Sequence, residues 1–232
     1  MADSKDVSLP AAAIAIVSAS LAIVALATLH VASPEFSPAW RMISEYGNGH
    51  YEWILTLMFV FWGLSALALA FAIRSQARGT VGRIGLALLV VAGIADIGGG
   101  VFDINHDPGH SIAGALGIVG FPAAAVLISI ALGRNEQWMA ARRLVLWMAH
   151  LTWISLVLLG VTFVVMVVTF VQVQGSLPTE VPRSVPTGVV ALVGWTNRLL
   201  MLAYSAWVIV VAWQAIKLRS QKTAVTGRTL AV

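Results

Sequence analysis

One carboxylate, Asp96, sits inside an apolar stretch that runs from Ile84 to Phe102. A charged side chain at the centre of a membrane helix costs about 2.5–3.5 kcal/mol on insertion scales, so it persists where it meets a cavity, a partner or a proton. Asp103 follows seven residues later on the same helical face, with Gly98, Gly99 and Gly100 between them. Three glycines weaken a helix and permit close backbone approach or local unwinding. His106 and His110 are spaced i, i+4, the separation at which two imidazoles on one helix can share a metal. Asp103 would complete such a set for a divalent ion. The glutamate of an H-E-x-x-H zincin is missing, and Asp107-Pro108 reads as helix N-cap and first turn, which leaves His106 ahead of the helix. Gly114 and Gly117 lie on the face of His110 and would let a neighbouring helix bring its side chains close.

Further polar groups fall near the same positions. Ser44-Glu45 offers a hydroxyl and a carboxylate, and serine near histidine and aspartate is the raw material of nucleophilic catalysis. Asn197-Arg198 interrupts the last apolar run. Its guanidinium suits a phosphate, or a pairing with Asp96 or Glu45, and the plainer alternative is a snorkelling arginine. His30 and His110 form the single pair that two facing helices could offer to one haem, while His150, beside Trp147 and Trp153, reads as a packed or interfacial ring.

The elements that must position these groups are set by composition. Of 232 residues, 59% are hydrophobic and 10% charged, with mean hydropathy +0.89, whereas soluble domains carry charge on about a quarter of their residues. The fold class is therefore all-α, a single membrane domain of six transmembrane helices, because about 20 apolar residues cross the hydrocarbon core. The predicted spans are about 9–32, 51–73, 84–102, 109–132, 144–171 and 199–218. The first is too long for the apolar part of a signal peptide and reads as a retained helix. Without cysteine, thiolate metal sites, disulfides and iron–sulfur clusters are excluded. The +4 charge comes from loops between apolar runs, which speaks for topology rather than nucleic acid.

Placing the N-terminus in the cytoplasm puts eleven Lys and Arg inside and three (Arg41, Arg183 and Arg198) outside. Both termini are therefore expected in the cytoplasm and the chain in the cell membrane. Residues 220–232 read as a flexible tail. Trp40, Tyr46, Tyr51, Trp53 and Trp195 are expected at the outer interface, and Trp138, Trp147 and Trp213 at the inner one. Ser37-Pro38 as start and Gly47 as stop predict a short interfacial helix after the first span. Under this topology His30, Glu45, His50, Glu52, Asp103, His106, Asp107 and His110 all gather on the outer side, with Asp96 about 10 Å below it at 1.5 Å per residue.

Two short segments carry a family resemblance. Met42-Ile43-Ser44-Glu45-Tyr46-Gly47 resembles the "iSE-x-G" signature of the membrane family known as domain of unknown function 998. Phe102, Asp107-Pro108-Gly109 and His110-Ser111-Ile112-Ala113-Gly114 resemble its "F-P-x-D-P" turn and the histidine that opens the next helix, with Asp103 where proline is common. More distantly the family is similar to the Frag1/DRAM/Sfk1 membrane proteins, some of which act in lipid remodelling or distribution. The resemblance implies six helices with Ser44, Glu45 and His110 near one another at the outer face. It supplies no activity.

The reading favoured by these features is an outer-facing polar pocket for a lipid headgroup or small polar ligand, lined by Ser44, Glu45, Asp96, Asp103, His110, Asn197 and Arg198. Membrane lipids are the expected partners. The alternatives are a hydrolase or lipid-modifying enzyme with a divalent metal at His106, His110 and Asp103, a proton-coupled transporter using Asp96, and a single-haem protein.

Overall fold

A computed structural model of the chain describes residues 7–102, 104–106, 108–177, 182 and 184–229, the side chains of 222–229 excepted. Six long helices account for the apolar runs: α1 (Leu9–Ala32), α2 (Glu52–Ile73), α3 (Gly79–Val101), α4 (Gly109–Gly133), α5 (Arg142–Gln174) and α6 (Val193–Thr229). Each is long and apolar enough to cross a membrane. Each helix packs on its neighbours in sequence, and α6 closes the ring onto α1 while also touching α2 and α4. The chain is thus a multi-pass, all-helical membrane protein.

The ends of the helices differ from the predicted spans where local chemistry outweighs hydropathy. The third helix begins at Gly79, whose φ of 76° suits glycine at the turn after Arg78. The last helix takes in Thr196-Asn197-Arg198 and runs on to Thr229, so residues 220–229, expected as a flexible tail, continue the helix. No proline intervenes there. The three connections away from the termini meet at one end of the bundle, here called distal. Asn105 Nδ2 donates to Asn48 Oδ1 at 3.0 Å, Arg41 to the Pro182 carbonyl at 3.0 Å, and Gly194 N to the Ala39 carbonyl at 3.0 Å. At the opposite end, Ser8 N reaches the Ala72 carbonyl and Asn135 Nδ2 reaches Gln76 Oε1.

Small residues decide how closely the helices approach. A Cβ on Gly63 of α2 would lie 2.2 Å from the Gly93 carbonyl of α3. Such contact is the usual source of cohesion between helices in lipid, where burying apolar surface supplies little. The centre of the bundle is an aromatic column. Trp62 leans on Tyr204 at 5.9 Å, Tyr204 stacks on Phe121 at 4.3 Å, and Phe121 meets Trp207 edge-on at 5.6 Å. Tyr204 also repairs a backbone defect. Pro122 inside α4 has no N–H for the Ile118 carbonyl one turn back, and the Tyr204 hydroxyl donates to that carbonyl at 2.6 Å.

Two aromatic residues expected at the interfaces are inside the protein. Tyr46 is buried among distal-end groups, and Trp138 is buried in a 3₁₀ segment, Glu136–Ala141, that caps the bundle between α4 and α5. Trp53, Trp147, Trp195 and Trp213 are exposed, as ring anchors at a membrane surface are.

Candidate functional site

The connection after α1 is held by α6. Its helical part is a 3₁₀ segment, Ile43–Asn48, and does not start at Ser37-Pro38 as the sequence suggests. Glu45 causes the late start. Its Oε1 accepts from Met42 N at 2.8 Å and so caps the segment there, while Oε2 pairs with Arg41 Nη1 at 2.6 Å. Gly194 lets the preceding residues sit directly on α6, since a Cβ there would lie 2.4 Å from the Pro38 carbonyl.

Arg198 fixes the rest. It is 4% exposed. Its Nε donates to His30 Nε2 at 2.8 Å, Nη1 to the carbonyls of Arg41 and Gly194 at 2.7 and 3.0 Å, and Nη2 to the Tyr46 hydroxyl at 3.2 Å. His30 accepts that bond because its other nitrogen faces the Leu26 carbonyl at 2.7 Å, which selects the tautomer with the proton on Nδ1. The predicted pairing of Arg198 with Asp96 or Glu45 is therefore not formed. Glu45 is taken by Arg41, and Arg198 is spent on four distal-end groups. His30, with both nitrogens occupied, does not form the haem-ligating pair with His110.

Beneath this lock lies a cavity of about 380 Å³ between α2, α3, α4, α6 and the 3₁₀ segment. It brings together four of the residues singled out from the sequence: Ser44, Asp96, His110 and Asn197. Glu45 borders a separate apolar groove beside α5, and Arg198 lines neither space. Asp103 and Asp107 lie outside the described residues. His106 is exposed and does not line the cavity. Among the described residues, no three His, Asp or Glu side chains gather as a metal would require.

Each wall residue has a positional cause. Asp96 is seated by Gly117, where a Cβ would come within 2.5 Å of Oδ1. Its Oδ2 is buried without a hydrogen-bond partner. Gly114, one turn earlier on α4, faces open space, since a Cβ there meets nothing within 4 Å. His110 occupies the first turn of α4, with Nδ1 at 2.8 Å from the Phe102 carbonyl. Asn197 Oδ1 accepts from Ile43 N at 2.8 Å, so it both frames the cavity and anchors the segment that carries Ser44. Ser111 is one further polar residue of the wall; the rest is largely apolar, with Phe59, Ala95, Ile104, Ala113, Ile118, Leu200 and Met201, and Trp62 presents a ring whose buried Nε1 also lacks a partner.

A second space of about 460 Å³ adjoins the first at the distal end. Both are lined by Ser44, Gly99, Ile104 and His110, and the second adds Glu52, Trp53 and Thr56. Of the three glycines of α3, Gly100 serves this junction by close approach, since a Cβ there would lie 2.9 Å from Phe59 Cβ, and the helix does not unwind. The helix continues to Val101, and Thr56 Oγ1 donates to the Gly100 carbonyl at 3.2 Å. Phe59 and Trp62 were not singled out from the sequence. A tryptophan in the middle of an apolar span, away from either interface, was the available signal.

Ser44 and His110 share the cavity, and the histidine's Nδ1 is directed at the Phe102 carbonyl. The arrangement can hold a guest by a few polar contacts within apolar walls, the usual make-up of a small-molecule pocket. No curated protein and no solved structure matches the chain. A family model described as a protein of unknown function (DUF998) matches residues 16–214. With that match over most of its length, and with the six apolar helices in place, the chain belongs to the DUF998 family.

Proposed function

We propose that this protein binds a lipid headgroup or small polar ligand, without catalysis, in the cavity between α2, α3, α4 and α6. The observation that carries the reading is the convergence of Asp96, His110, Ser44 and Asn197 on one largely apolar space of about 380 Å³. Buried polar atoms in native proteins are nearly always paired, and the unpartnered Asp96 Oδ2 beside a void speaks for a missing partner. In this reading the protein lies in the cell membrane with both termini in the cytoplasm, and the cavity opens outward. The eleven-to-three division of Lys and Arg supports that orientation.

Native mass spectrometry of protein released from its own membranes tests the reading. A non-covalent adduct is expected on the unaltered chain and is expected to be lost on Gly114→Leu, which fills the cavity from a position with room for a side chain. An adduct kept in full by Gly114→Leu, or no adduct on the unaltered chain, sinks it.

A further inference from the structure

Granted the binding reading just given, we infer that the guest is an organic cation: a primary amine or ammonium group on a small apolar body, seated at Asp96 against the rings of Trp62 and Phe59.

The charge inventory of the two adjoining spaces points that way. Asp96, 6% exposed, stands in the inner space, and Glu52 stands exposed in the outer one. Among the described residues, neither space is lined by lysine or arginine. Two described arginines of the distal end are committed elsewhere, Arg41 to Glu45 and the Pro182 carbonyl, Arg198 to His30, Tyr46 and two carbonyls. A carboxylate at membrane depth needs a proton or a positive charge beside it. Among the described residues the protein's own cations do not provide that charge, so either a proton or a positively charged guest supplies it, and an ammonium group is the guest that can. A phosphate or carboxylate guest would instead set a second acidic group beside Asp96.

The walls fit the same class. Phe59 and Trp62 both line the inner space, their rings 6.2 Å apart and tilted by 41°. Aromatic faces attract ammonium groups, most strongly when water is excluded. An ammonium has three donors and no acceptor, and so complements a lone carboxylate and the Ser44 hydroxyl. Ala95, Ala113, Ile118, Leu200 and Met201 offer the rest of the guest only hydrocarbon. At about 380 Å³ the space is near the small end of ligand pockets, which run from about 300 to 1,000 Å³. A free amine and the amino group of a lipid headgroup share this chemistry.

The test is a thermal-shift titration of the full chain in neutral detergent. The probes are phenethylamine, the equally shaped phenethyl alcohol, short-chain phosphatidylethanolamine and short-chain phosphatidylglycerol. The amine is expected to raise Tm saturably, with the alcohol at least about tenfold weaker, the size of effect a charged hydrogen bond gives. Asp96→Asn should reduce that ratio to near one. Trp62→Leu should weaken the amine several-fold while changing the alcohol less. A shift with phosphatidylethanolamine and not with phosphatidylglycerol would assign the amine to a headgroup, and a shift with phenethylamine alone would assign it to a free molecule.

The amine-against-alcohol comparison uses the unaltered chain and stands even if a variant fails to fold. Equal binding of amine and alcohol, both lost on Gly114→Leu, would overturn the cation inference and leave the cavity reading intact. Amine binding that survives Gly114→Leu would overturn both. No shift with either amine probe would overturn the inference.

Discussion

Arg198 and Asp96 are two buried ionisable side chains towards the same end of the bundle, and they are treated in opposite ways. The guanidinium makes four hydrogen bonds to groups from α1, α6 and the connection after α1. The carboxylate has an oxygen with no partner and a cavity at its side. Both belong to the short set of intramembrane polar residues that sequence alone marks as functional. Their surroundings separate them: a buried charge whose bonds are all made inside the chain holds the fold, and one left open beside a void is available to something else.

The comparison can be broken most directly at Arg198. Arg198→Ala removes the shared donor of His30, Tyr46 and two carbonyls. It should lower stability by about 3 kcal/mol or more, read as a large fall in Tm in detergent. Arg198→Lys should recover little of this, because an ammonium cannot reproduce the fork that reaches four acceptors. A variant that melts like the unaltered chain would mean the lock is not needed. A middle-sized effect belongs to the seat of Asp96. Gly117→Ala drives a methyl to within 2.5 Å of Oδ1 and should cost about 1–3 kcal/mol, the usual toll of overpacking. Gly114→Ala, three residues away on the same helix, should stay within about 0.5 kcal/mol of the unaltered chain. Equal losses at both positions would show that α4 dislikes any side chain there and that Asp96 is not the cause. The smallest effect has the opposite sign. Asp96→Asn exchanges an unpaired carboxylate for a neutral group of the same size and should raise stability of the ligand-free protein by about 1 kcal/mol, measured by the same melt. A fall comparable to that of Arg198→Ala would place Asp96 with the structural groups.

The helices were legible because a run of twenty apolar residues has few other solutions in a membrane-protein composition. The convergence of Asp96 and His110 was legible for a similar reason. Glycines at positions 114 and 117 announced which face of α4 could receive a neighbour's side chain, and Asp96 is seated at Gly117. The duties of Arg198 were not legible. Its partners include two main-chain carbonyls, which leave no mark on sequence, and a histidine 168 residues away. Glu45 misled in the same way. Its spacing suits a surface helix, but the carboxylate instead caps Met42 N and pairs with Arg41, and the helix shrinks to a 3₁₀ segment. Pro122 could be read as a kink, whereas the hydroxyl of Tyr204 that satisfies the carbonyl it orphans comes from another helix. What sequence conveys is the need for a partner; which partner arrives depends on packing.

The order of packing around the ring has a consequence for how the chain is made. Each of the first five helices finds its neighbour in the segment synthesised just before or just after it, so hairpins can assemble as they leave the ribosome. The final helix alone must close the circle by meeting the first. It carries Arg198, whose bonds reach back to His30 and to the connection that follows it. A nascent chain stalled before residue 193 would therefore hold that connection unlatched, with the pocket roof unset. Synthesis of the last of the six helices is the event that closes the cavity.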